Sequence, residues 1–206
     1  LSDQDKTVYD VLDYTLKDKI ERYAYHPEYI PFTQFSGLPL DFPLLGSGQG
    51  NQPFKTEKDY SDWLKRTENF PAWMDAAIEN FREGITNQYV LPKKLVVKMV
   101  TQMNAEEITS SDFSKNIFYG PINNFPKNFT AAQREKFTNE FKTMITKRII
   151  PSYTKMGSFL QTEYLPKART TDGINGLPKG NDIYAYFAKS WTTTTKTPNE
   201  INQIGL

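Results

Sequence analysis

Apolar residues recur at steps of three and four through most of the chain, the spacing that aligns side chains on one face of an α-helix. Tyr9, Leu12, Leu16, Ile20 and Tyr23 do so first, and predict a helix from about residue 3 to residue 25 that buries this stripe. Between residues 26 and 53 the periodicity stops. Pro27, Pro31, Pro39, Pro43 and Pro53 remove backbone donors and Gly46, Gly48 and Gly50 permit unusual dihedrals, so this stretch reads as a long ordered loop pinned by Phe32, Phe35, Leu38 and Phe42. Helical spacing resumes after Thr56-Glu57-Lys58-Asp59, a capping box in front of Tyr60, Trp63 and Leu64. Further helices follow with Met74, Ile78, Phe81 and Ile85, and with Leu95, Val96, Met99 and Met103, opened by Pro71 and Pro92.

Residues 110–128 lose the pattern again, which suggests a loop joining two helical portions, 1–109 and 129–206, of what otherwise reads as one helical region. A second capping box, Thr130 and Gln133, starts a run through Phe137, Phe141, Met144, Tyr153, Met156, Leu160 and Tyr164: one long helix, kinked or interrupted at Pro151. A short helix is expected over 183–189, then extended backbone at the threonines 192–195. Finally Thr197-Pro198-Asn199-Glu200 announces a helix with only Ile201 and Ile204 to bury, marginal unless more protein follows Leu206. The expected class is therefore all-α, mainly helical with long Pro/Gly-rich ordered loops.

With 206 residues, 38% hydrophobic and 14% aromatic, the chain can bury a real core. Its 25 basic and 24 acidic residues leave a net charge of +1, no field to gather nucleic acid. No aliphatic run approaches the roughly 20 residues that span a bilayer. The chain opens on Leu1-Ser2-Asp3 rather than methionine, so an upstream boundary or a processed leader is expected.

Catalytic chemistry is sparse. Cysteine is absent, and the only histidine is His26. A catalytic zinc site usually draws three ligands from His, Cys, Asp and Glu, and the HExxH helix alone takes two histidines, so this chain by itself does not read as a zinc or cysteine enzyme. Gly46-Ser47-Gly48-Gln49-Gly50 has neither the spacing of a nucleophile elbow nor the lysine of a phosphate loop. Trp63, Phe70 and Trp73 read as core rather than as a stacking platform, and Asn128-Phe129-Thr130 matches a glycosylation acceptor.

Several stretches in order resemble a known family: Gln34 to Leu45; Asp59-Tyr60, Trp63-Leu64-Lys65-Arg66 and Phe70-Pro71; Phe81-Arg82-Glu83-Gly84-Ile85 leading to Val90-Leu91-Pro92; Gly176-Leu177-Pro178-Lys179-Gly180 with Tyr184; Thr192-Thr193-Thr194; and Thr197-Pro198-Asn199-Glu200-Ile201 with Ile204-Gly205-Leu206. The chain is similar here to the bacterial metallopeptidase-like proteins catalogued as domain of unknown function number eight hundred and eighty-five. The resemblance implies a protein well over twice this length, largely helical, often exported to the periplasm or lipid-anchored, with an HExxH zinc helix beyond Leu206. It carries over no catalytic or metal-binding residue. Arg82 and Thr193 match polar positions of the pattern and are the candidates for lining a substrate cleft, against the plainer readings of helix pairing for Arg82 and a strand edge for Thr193. Asn202 stands where relatives commonly have histidine. On this reading the chain is the non-catalytic helical N-terminal portion of a zinc metallopeptidase-like protein, partnered by the missing catalytic half and a peptide substrate. The competing reading is a free-standing helical binding or scaffold module that uses the 26–54 loop.

Overall fold

The computed structural model describes residues 2–206 and is all-α, with no strand among the described residues. Helix α1 (Asp3–Arg22) starts at a capping box between Ser2 and Asp5. Then come α2 (Leu38–Gly46), α3 (Glu57–Arg66), α4 (Phe70–Thr86), α5 (Lys93–Met103), the single turns α6 (Glu106–Thr109) and α7 (Gly120–Asn123), α8 (Ala131–Met144), α9 (Ile150–Phe159), α10 (Gly180–Thr192) and α11 (Pro198–Ile204). The capping boxes at Thr56, Thr130 and Thr197 all form, each with its predicted partner three residues on.

Helix α2 lies where the prolines predict a loop. Pro39 falls in its first turn, where a missing N–H costs nothing, but Pro43 is inside it. The N–H that Pro43 lacks would have gone to the carbonyl of Pro39. That carbonyl instead accepts a 2.7 Å hydrogen bond from the buried hydroxyl of Tyr153, supplied from α9. A proline-bearing helix is thus completed from outside.

The chain forms two compact units, Ile30–Thr170 and the pair of end segments Leu1–Tyr29 with Thr171–Leu206. Residues 110–128 lie within the first of these and are not a link between units. There Phe118 and Ile122 are buried, and the Asn116 amide donates to the carbonyls of Ile108 and Ser110, both at 3.0 Å.

The core of the 30–170 unit is aromatic. Helices α8 and α9 run on as one rod through a π-turn at Ile145–Ile149, so the predicted interruption at Pro151 is taken up as a widened turn just before it. The rod's Phe141, Ile149, Tyr153, Met156 and Tyr164 face Met74, Ile78 and Phe81 of α4 and Val96, Met99 and Met103 of α5, all buried. Phe42 of α2 stacks on Phe70 with ring centres 4.2 Å apart and lies 4.9 Å from Trp63. Burial pushes the Tyr60 hydroxyl up to about 12, and it donates to the Pro121 carbonyl at 2.9 Å.

In the other unit α1 packs on α10 through its polar side. The Tyr186 hydroxyl donates to the Asp18 carbonyl (3.1 Å), the Ser190 hydroxyl to the Asp18 carboxylate (3.1 Å), Lys189 pairs with Glu21, and the Tyr25 and Tyr186 rings lie 5.0 Å apart. Nine residues are two and a half helical turns, so Asp18 and Glu21 lie opposite Tyr9 and Leu12 on α1. The apolar stripe expected to be buried is accordingly in water, from 49% exposed at Leu16 to 70% at Ile20. Periodicity marked the face correctly; the polar face took the partner.

Candidate functional site

Arg82 is engaged on every side. Its guanidinium makes a two-pronged pair with Glu163, at 2.9 and 2.8 Å, donates to Glu79 at 2.6 Å, and sits over the Phe159 ring. These contacts tie α4 to the end of the α8–α9 rod, which favours the structural role. Hydrogen bonding from Arg82 holds the Glu163 carboxyl below the usual range. A carboxyl with a depressed folded pKa contributes stability above its unfolded value and loses it as pH falls through the folded one. Both side chains are nearly half exposed, so the effect is small. We expect Glu163→Gln and the unmodified chain to differ in denaturation midpoint at pH 7 and to converge below about pH 4; a gap that persists in acid would mean that the ion pair contributes nothing.

Thr193 is not on a strand edge. It is the left-handed residue (φ 53°) that ends α10, while Thr192 bonds back to the Ala188 carbonyl. Threonine's preference for extended backbone lost to helix termination. Arg82 and Thr193 belong to different compact units, so neither unit brings them together.

The 30–170 unit has a cleft that the sequence pattern does not reveal. It is an open groove of about 640 Å³ between α3 and α8, floored by Leu64 and Met144 and flanked by Ser61, Lys65, Glu68, Lys136, Asn139, Glu140, Thr143 and Arg148. Arg148 is anchored at its end, donating at 3.1 Å to both the Leu64 carbonyl and the Thr67 hydroxyl. Lys136, Glu140 and Thr143 follow helical spacing along α8, which on sequence is indistinguishable from any solvated face. An apolar floor with donors and acceptors of both signs along its walls suits an extended polypeptide, whose backbone needs both. The sequence profile described as "Bacterial protein of unknown function (DUF885)" matches residues 1–206.

The chain belongs to the DUF885 family. A solved chain from Colwellia psychrerythraea, described as a putative lipoprotein, aligns with 85% of this DUF885 chain at 22% identity and a TM-score of 0.74. The aligned part is 30% of that solved chain, so this chain spans well under half of its length. At this identity the likeness carries the fold. No curated protein matches significantly.

Among its described residues the DUF885 chain offers zinc no fitting donor set. Among the described residues no three or more His, Cys, Asp or Glu side chains are grouped to hold a metal. His26 lies at the left-handed end of the turn after α1, 2.9 Å from the Glu28 carboxylate and stacked on Tyr29. Among the described residues no helix is long and apolar enough to cross a membrane.

Proposed function

We propose that this chain is a non-catalytic helical portion of a zinc metallopeptidase-like protein and supplies one wall of its peptide cleft, the groove between α3 and α8. Zinc and the glutamate base that would activate its water then belong to protein outside these 206 residues, as do export and lipid anchoring. No hydrolytic step is assigned to side chains of this chain.

The observation that carries this reading is the apolar stripe of α1. A helix that turns the four large apolar side chains Tyr9, Leu12, Leu16 and Ile20 to water while bonding through its polar face is built to be covered. The competing reading, a free-standing binding module, predicts that the chain is well behaved alone. We therefore expect the isolated chain to bind an apolar dye and to self-associate, and Leu12→Gln with Leu16→Gln to reduce both; a monodisperse monomer that binds no dye would favour the module instead.

A further inference from the structure

Another, smaller cavity lies in the 30–170 unit, and its composition differs from that of the α3–α8 groove. Leu38, Phe42 and Leu45 fall on one face of α2. Phe42 dives into the core against Phe70, which leaves Leu38 and Leu45 as two walls of a notch. Trp73, from the first turn of α4, forms the third wall. The notch measures about 340 Å³, at the lower end of the roughly 300–1,000 Å³ of small-molecule sites. That is room for one large apolar group.

Its walls are half-buried apolar side chains, and the remaining lining residues, Arg66 and Asn69, are exposed at its solvent edge. Arg66 makes no ion pair or hydrogen bond among the described residues. Its nearest candidate on the same helix, Asp62, is taken by Lys58. The corner beneath is held in shape, because the buried Thr67 hydroxyl donates to the Leu64 carbonyl at 2.6 Å and Arg148 bonds to both. A preformed apolar notch with one uncommitted guanidinium at its mouth is complementary to a particular chemistry. The apolar body enters the notch, and a carboxylate meets the planar fork of the arginine.

We propose that this notch binds small amphiphilic carboxylates, an apolar body of about one side chain's size carrying a free carboxylate. Two sources share that chemistry, a short fatty acid and the C-terminal residue of a peptide. This site is separate from the α3–α8 groove and stands whether or not the peptidase reading holds.

The test titrates the 206-residue chain carrying Leu12→Gln and Leu16→Gln, which removes the competing apolar stripe of α1, with octanoate, N-acetyl-phenylalanine and octanol, followed by calorimetry and by tryptophan fluorescence with Trp73→Phe as the control for the local signal. The expected result is saturable binding of at least one carboxylate, stronger than that of octanol. Arg66→Gln should weaken it by about tenfold or more without changing octanol. Leu45→Trp, which fills the notch, should abolish all three while the helical circular dichroism is kept. Preference for octanoate would assign the site to fatty acids, and preference for N-acetyl-phenylalanine to chain ends. No saturable carboxylate binding, or equal binding by the Arg66→Gln chain, would overturn the proposal.

Discussion

Replacing Trp63 by alanine is expected to cost about 3–5 kcal/mol of folding stability, the largest single-residue loss in the 30–170 unit. Trp63 is fully buried and lies against Phe42, Phe54 and Phe118, where α2, α3 and the 117–119 turn meet. Those rings sit on three different chain segments and cannot collapse together into the space an indole leaves, so both the lost burial and the cavity contribute. The cost should appear as a lower midpoint in chemical denaturation with an unchanged slope. Trp63→Phe makes a sharper comparison. The indole N–H is buried without a hydrogen-bond partner, so its removal sacrifices no bond and relieves a desolvated donor. The phenylalanine chain should retain most of the stability that alanine loses. A Trp63→Ala loss under about 1 kcal/mol would mean that this aromatic junction is not the centre of the core.

Tyr153→Phe is expected to cost about 1–3 kcal/mol, although it deletes one oxygen atom. The hydroxyl, whose pKa burial drives well above the usual tyrosine range, is the donor that satisfies the Pro39 carbonyl left open by Pro43. Without it a buried acceptor has no partner. The mechanism makes a second, stricter demand, because Pro43→Ala restores an N–H that can close the α2 hydrogen bond internally. In the Pro43→Ala background, Tyr153→Phe should cost at least about 1 kcal/mol less than in the unmodified chain. Strictly additive effects of the two substitutions would refute the link between α2 and α9.

These contacts mark where sequence reading succeeds and where it stops. Capping boxes are local, four residues long, and each one predicted at Thr56, Thr130 and Thr197 is present. Helix α2 was hidden because its compensating donor lies 114 positions away, out of reach of any local rule. The stripe on α1 shows the complementary failure: spacing identifies an apolar face, but cannot say which face meets a neighbour. Among candidate site residues, Arg82 was placed on the correct helix, and its commitment to Glu163, 81 positions on, is a tertiary fact. The groove residues of α3 and α8 carry ordinary polar spacing, and nothing in their order separates a cleft wall from a solvated surface. The family was legible because many weak stretches keep a common order, which accumulates information that no one motif holds.

The proposed function divides the labour between this helical portion and a zinc-bearing remainder. The decisive measurement is therefore metal content and peptide hydrolysis of the product of the complete coding region, set beside the 206-residue chain purified in the same way. One zinc per molecule and hydrolysis are expected in the former, and neither in the latter. A complete product that neither binds zinc nor cleaves peptides, or a coding region that stops at Leu206, would contradict it and leave a free-standing helical binding module.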